Sequence, residues 1–306
     1  MLDTTRRQDV QQFIHFPFQL YHGSAQWVPP LVSEMEAALD RRRHPFYRHS
    51  SAAFFVAESG RETLGRIAVM HNRNHNAHRG AAVAFFGFLD VVPDAAVSNA
   101  LFGAAFAWAR ERGLQEIIGP RGLLGTDGGG VLVEGFEHRA ALDIPYNAPY
   151  YDELIQRAGF RKDTDHLSGY LRGDHQLPER FFALAERVKA HRGLSVKSFV
   201  SKEEMRAWVP RVTAAHRTAF AENHEYFPPT PAETALIAGN LIAVSDPRLV
   251  KLVLKGEEVV GFVLAYHDVS PALQRSRGRL WPLGWYYILQ ERRRACWANV
   301  NGIGVL

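Results

Sequence analysis

The sequence predicts an α+β protein of two successive domains, each a three-layer arrangement of helices about a mixed, mostly antiparallel central sheet. Three observations carry that expectation. The chain has 306 residues, about twice the usual domain length. Three strand-like segments in a row lead into a long amphipathic helix, and after residue 192 the same order of elements restarts. The expected units are residues 1–172, a helical connector at 173–192, and a second domain at 193–306.

Composition narrows the class. The chain is 46% hydrophobic, enough for two cores, and 22% charged, with no bias toward a disordered or fibrous composition. The formal charge is +4, from 36 basic and 32 acidic residues. Arginines cluster at Arg41–Arg43, Arg275–Arg279 and Arg292–Arg294, and these runs read as solvated faces, so nucleic acid is not an expected partner. A lone cysteine, Cys296, excludes an intramolecular disulfide framework and a multi-cysteine zinc site, and reads as a small buried residue. Met1–Val10 is polar, and no later run reaches about 18 apolar residues. The expectation is a cytoplasmic protein with no membrane partner.

The elements follow in order. Asp9–Tyr21 has helical apolar spacing that Pro17 is expected to bend or interrupt. After Pro29-Pro30, Ser33 is expected to cap a helix reaching Leu39. Ala52–Glu58 and Thr63–His71 flank Ser59-Gly60 as a hairpin, and Ala82–Asp90 follows a polar loop at 72–80 as a third strand. Asp94 opens a helix striped with Val97, Leu101, Ala105 and Trp108 that stops at Gly113. Then come a short strand at Gln115–Gly119, a Gly-rich segment to Gly135, a helix over Asn147–Ala158, and a strand near His166–Leu171. In the second half, Leu194–Phe199 reads as a strand, Lys202–Ala221 and Ala232–Leu241 as helices, and Leu249–Lys255 pairs with Val259–His267 across Gly256-Glu257. Asn299–Leu306 begins one more strand, whose open edge would need covering, with a homodimer as the expected means.

A series of short motifs lies in this order: Phe16-Pro17, Leu20-Tyr21, Trp27-Val28-Pro29-Pro30-Leu31, His44-Pro45-Phe46-Tyr47, Phe54-Phe55-Val56-Ala57, Gly65-Arg66-Ile67, His75-Asn76, Phe86-Gly87-Phe88, Gly119-Pro120, Gly135-Phe136, Tyr146-Asn147, Pro149-Tyr150-Tyr151 and Ala158-Gly159-Phe160. On these motifs the chain resembles a bacterial family of tandem GNAT (N-acetyltransferase-like) proteins, densely from Asp9 to about Leu171 and more loosely beyond Leu194. The resemblance implies two acyl-CoA N-acyltransferase folds, the second shortened at Leu306. It implies transfer of an acetyl group from acetyl-CoA to a small-molecule or peptide amine. A non-catalytic binding or scaffold protein of the same fold, with degenerate cofactor loops, is the alternative.

GNAT enzymes hold the cofactor diphosphate on backbone amides of a Gly-containing turn between the central strand and the long helix, where the helix dipole favours an anion. The corresponding turn here is Val91-Val92-Pro93-Asp94-Ala95-Ala96-Val97, which has no glycine. Pro93 removes a donor, and Asp94 is expected to cap the helix with its own carboxylate. The candidate cofactor residues are therefore Val91, Val92, Ala95, Ala96 and Asn147. A tyrosine four residues before Gly-Phe protonates the departing thiolate in many GNAT enzymes; here Ile155 stands there, and Tyr151, one turn earlier, with its neighbour Tyr150, are the catalytic candidates.

Glu34, Glu58, Asp127, Glu134 and Glu137 are the carboxylates expected to face a cleft, one of them as general base. Asp127 lies in Thr126-Asp127-Gly128-Gly129-Gly130, which lacks the Gly-Lys-Ser/Thr ending of a P-loop and also reads as a turn. His71, His75 and His78 lack zinc-motif spacing, and no metal is expected.

Overall fold

The computed structural model describes residues 1–223 and 226–306, which divide into two compact units. Unit 1 comprises Met1–Lys162, Pro231–Glu233 and Asp268–Ala295; unit 2 comprises Asp163–Thr230, Thr234–His267 and Cys296–Leu306.

Unit 1 begins with α1 (Arg7–Leu20) and α2 (Val32–Leu39). The meander β1 (Ser51–Ser59), β2 (Glu62–His71) and β3 (Val83–Val91) follows, with α3 (Arg73–Arg79) between the last two strands. Then come α4 (Ala95–Arg110), β4 (Glu116–Ile118) and α5 (Tyr151–Arg157). The sheet order is β1-β2-β3-β4, antiparallel except for the parallel β3–β4 pair. Alternation sorts the two faces. Ile67, Val69, Ala84 and Phe86 point to the core that α4 closes with Leu101, Phe102, Ala105 and Trp108, each of the large side chains contributing roughly 2 kcal/mol. On the opposite face Phe13 of α1 meets Phe54 edge-on at 5.2 Å, which completes three layers.

Four local expectations are corrected in unit 1. Helix α1 runs through Pro17 unbroken. Proline denies a helical donor to the carbonyl of Phe13, and the Arg66 guanidinium donates to that oxygen instead, at 2.6 Å. Ser33 does not cap α2; the helix starts at Val32, whose N–H is bonded to the Gly278 carbonyl at 2.9 Å. Gly278 approaches the Pro30 backbone so closely that any Cβ would collide with it. The polar stretch at 72–80 contains α3, because the Asn72 side chain accepts from the His75 N–H at 3.0 Å and Gly80 stops the helix with φ 64°. Helix α5 is shorter than expected, beginning at Tyr151.

Unit 2 contains α6 (Glu179–Arg192), β5 (Leu194–Ser198), α7 (Lys202–Ala219), α8 (Pro231–Val244), β6 (Lys251–Lys255), β7 (Glu258–His267) and β8 (Ala298–Val305), although the first three residues of α8 belong to unit 1. Its sheet, β5-β6-β7-β8, pairs antiparallel throughout. Ser201 caps α7, accepting from the Glu204 N–H at 3.1 Å. Met205 and Ala215 of α7 pack on Leu252, Leu254, Val259 and Phe262. The expected strand at His166–Leu171 is absent: the segment is irregular and solvent-facing, with Leu167 98% exposed. Its apolar residues do not alternate, so no face is available for burial. Cys296, expected to be buried, is exposed at the junction leading into β8. The stretch between β7 and β8 returns to unit 1 as α9 (Ser270–Ser276) and α10 (Gly284–Arg294), two helices with no counterpart in the sequence expectation.

Among the described residues, no helix is long and apolar enough to cross a membrane.

Candidate functional site

Strand β3 positions the site. Its pairing with β2 slips between Arg66 and Ala68, and at this bulge Phe88 takes a φ of 49°. A left-handed backbone costs an aromatic residue about 1–3 kcal/mol, and the contacts of the Phe88 ring with Phe13 and Phe54, at 6.2 and 6.4 Å, help to offset it. β4 pairs with β3 only from Val83 to Phe85, so the outward edge of β3 beyond that point has no strand neighbour among the described residues.

Two tyrosines take up that edge. The Val91 N–H donates to the Tyr151 hydroxyl at 3.0 Å, and the Tyr150 hydroxyl donates to the Val91 carbonyl at 2.6 Å. Tyr151 also shares a hydrogen bond with Tyr21, hydroxyl to hydroxyl, at 2.9 Å. Burial, reinforced by the Asp90 charge, drives the Tyr151 and Tyr21 phenols well above the ordinary tyrosine range and lifts Tyr150 to about 12. All three therefore keep their protons at neutral pH.

Behind them lies a buried ion pair. Arg66 Nε donates to Asp90 Oδ2 at 2.7 Å, while Nη1 reaches the Phe13 carbonyl. Burial pushes the Asp90 carboxyl up, against the pull of Arg66 and of the Tyr21 hydroxyl. Tyr21 and Arg66 lie in the Leu20-Tyr21 and Gly65-Arg66-Ile67 motifs, which by themselves give neither residue a role. The available signal was a guanidinium inside an apolar strand, which demands a carboxylate on a neighbour.

At the turn into α4, the Asp94 carboxylate accepts from the Ala96 N–H at 2.7 Å, as the sequence reading expected. The Val92 N–H is bonded to the Leu64 carbonyl at 3.0 Å, and that of Val91 to Tyr151. Three of the candidate cofactor amides are thus committed within the fold, leaving Ala95 at the helix start. One turn in, the buried Ser98 hydroxyl has no partner among the described residues. A diphosphate does not fit this turn: Pro93 has no N–H, and a carboxylate stands where the anion would lie. Asn147 is a staple for the Gly-rich segment, accepting from the Leu132 N–H at 2.7 Å and donating to the Leu132 carbonyl at 3.1 Å.

That segment folds backbone against backbone. A Cβ on Gly128 would strike the Asp143 carbonyl, and one on Gly122 would strike Asp127 itself. The packing places Asp127 and Asp143 within electrostatic reach of Glu34 on α2. Desolvation first, and then the like charges of Asp143 and Asp127, push the Glu34 carboxyl up to about 7. Asp127 is exposed and accepts from the Leu124 N–H at 2.9 Å, yet desolvation by the folded loop lifts it to about 6, and desolvation also raises Asp143, which is likewise exposed. Asp143, with φ 64°, was absent from the sequence candidates. Glu58, Glu134 and Glu137 are exposed; Glu58 accepts from Gln12, and Glu137 lies 3.3 Å from His138.

His75 and Asn76 are buried. The Asn76 amide donates to the Val83 carbonyl at 3.0 Å and accepts from its N–H at 3.3 Å, fixing the start of β3. A cleft of about 260 Å³ lies elsewhere in this unit, lined by Phe106, Arg110, Leu114, Gln115, Ile117 and Phe160, and contains none of the candidate residues.

No family model matches the chain. Over 285 residues it is 28% identical to "Bacterial ceramide synthase" of Caulobacter vibrioides (strain NA1000 / CB15N), covering 92% of this chain and 73% of that protein. It is 25% identical over 284 residues to "Protein YghO" of Escherichia coli (strain K12), covering 92% and 72%. Among solved structures it is similar to a tandem GNAT protein from the clavulanic acid biosynthesis pathway (without AcCoA), with a TM-score of 0.45, 15% identity, and coverage of 86% of this chain and 72% of that one.

Proposed function

We propose, taking this chain as a relative of bacterial tandem GNAT proteins, that it is an N-acyltransferase that moves an acyl group from an acyl-CoA to an amine. The observation that carries the reading is the 28% identity to a bacterial ceramide synthase across 92% of the chain. A ceramide is the amide of a long-chain amine, so the acceptor proposed here is an amine on an apolar chain rather than a peptide.

The residues support amine chemistry. An amine attacks only when deprotonated, and Glu34, near pKa 7 among the carboxylates of Asp127 and Asp143, is suited to accept a proton from an ammonium group and to hold that cation beforehand. Tyr151, fixed by Val91 and Tyr21, is the proposed proton donor to the leaving group, with Tyr150 as its neighbour. The acyl donor, acetyl-CoA or a longer acyl-CoA, is not routed through the turn into α4, because Asp94 closes it.

That closed turn favours a second reading, a non-catalytic protein of the same fold that binds a small molecule or peptide. Calorimetry with CoA, acetyl-CoA and a long-chain acyl-CoA, followed by an acylation assay over an amine panel, separates the two. Heat of binding and amide formation that disappears in Glu34→Gln would establish the enzyme. No heat and no thermal stabilisation at millimolar ligand would leave the binding protein.

A further inference from the structure

We propose that the ridge formed by Leu280–Arg294 docks unit 1 on the surface of an anionic lipid bilayer. The stretch that leads into this ridge, Asp268–Gly278, is anchored within unit 1. The Gln274 amide donates to the carbonyls of Ala25 and Trp27 at 2.8 and 2.9 Å, Arg139 pairs with Asp268 at 2.8 Å, and the Gly278 carbonyl accepts from Val32. Helices α9 and α10 are also tied to each other, with the Arg275 guanidinium 5.1 Å from the Tyr287 ring and 3.3 Å from Gln290 Oε1. The outer side is therefore presented by a held element.

That outer side carries Trp281, Leu283, Trp285, Tyr286 and Leu289, all exposed, with Trp281 at 80%. Isolated apolar residues on a surface mean little, but five large ones exposed within the stretch Trp281–Leu289 mark an interaction site. Charge selects the partner. Residues 275–294 contain six arginines and one carboxylate, Glu291, in a chain that is otherwise close to balance. Arg277, Arg279 and Arg293 are exposed beside the aromatic residues.

Tryptophan, tyrosine and leucine flanked by arginine form the chemistry of an interfacial element: the rings enter the headgroup and acyl boundary while the guanidinium groups meet lipid phosphates. The indole N–H of Trp285 is already bonded to the Pro282 carbonyl at 2.8 Å, so that ring enters an apolar layer without an unsatisfied donor. The expectation of no membrane partner rested on the lack of a spanning helix, which an element lying on the surface does not need.

Co-sedimentation of the whole chain with phosphatidylcholine vesicles, with and without phosphatidylglycerol, tests the proposal without reference to any enzymatic activity. Binding is expected only to the anionic vesicles, to fall with added salt, and to persist in inorganic phosphate at matched ionic strength. Trp281→Ala with Trp285→Ala should weaken it at least about ten-fold. Arg277→Gln, Arg279→Gln and Arg293→Gln together should weaken it on the order of a hundred-fold, about five-fold for each arginine. Because these side chains are exposed, thermal unfolding of both variants should match the parent. No sedimentation with anionic vesicles would overturn the proposal, as would binding unchanged in the variants, preferential binding to an oligonucleotide, or self-association that masks the ridge.

Discussion

Arg66 donates to the Phe13 carbonyl at 2.6 Å, across 53 residues of sequence, and so supplies the bond that Pro17 cannot. The same guanidinium holds Asp90, so Arg66→Met would strip two buried acceptors at once. The expected loss is about 3–5 kcal/mol in denaturant unfolding. Pro17→Ala returns an N–H to the Phe13 carbonyl, so in a double-mutant cycle the two changes should couple by about 1 kcal/mol in the rescuing direction. Simple additivity would show that the carbonyl does not depend on arginine.

Removing the Tyr151 hydroxyl exposes a second dependence. Tyr151→Phe leaves the Val91 N–H buried and unpaired, at a cost of about 1–3 kcal/mol. Tyr150→Phe deprives only the Val91 carbonyl, at a half-buried position, and should cost about 0.5–1.5 kcal/mol. If Tyr151 is the proton donor, acyl transfer measured well below both unfolding transitions, where the difference in stability does not count, should collapse in the first variant and survive in the second.

Glu34 links stability to pH with a definite sign. Its carboxyl lies near 7 in the folded chain against 4.5 for an ordinary glutamate, so the folded state binds the extra proton. Its contribution is complete below about 4.5 and is lost as pH rises through 7. Asp90, Asp127 and Asp143 act in the same direction. Chemical unfolding of Glu34→Gln across this window should show a smaller fall in stability with rising pH than the parent, and acyl transfer in the parent should rise through the same interval. Identical slopes in both proteins would refute the assignment.

The Gly-rich segment should tolerate no side chain at Gly128. Gly128→Ala drives a methyl group into the Asp143 carbonyl and should cost about 1–3 kcal/mol, with faster proteolysis between residues 120 and 147. Unchanged cleavage would mean that the backbone contact does not hold the segment.

Much of the scaffold was legible because its signals are local. The hairpin of β1 and β2 declared itself by its Phe, Val and Ile residues around Ser59-Gly60, and α4 by its apolar stripe between Asp94 and Gly113. The cap on Ala96 followed from Asp94 alone. What stayed hidden depends on partners distant in sequence. Pro17 signals a break unless Arg66 is known to stand opposite Phe13, and Ser33 looks like a cap unless it is known that the Gly278 carbonyl holds the Val32 N–H and the helix starts one residue earlier. Glu34 and Asp127 were among the candidate carboxylates, but their meeting with Asp143 depends on how glycines let the loop close, and spacing does not encode that path. Helix α9 buries only Ala272 and Leu273 among its apolar residues, and α10 leaves Trp285, Tyr286 and Leu289 exposed, so a stretch read as arginine-rich surface offered no buried stripe to mark two helices.

Unit 1 takes its last segment, Asp268–Ala295, from far along the chain. On the ribosome, the N–H of Val32 and the carbonyls of Ala25 and Trp27 must wait for Gly278 and Gln274 to be synthesised. The backbone pairing of residues 25–32 is thus completed only after a stretch 249 positions further along the chain has been made.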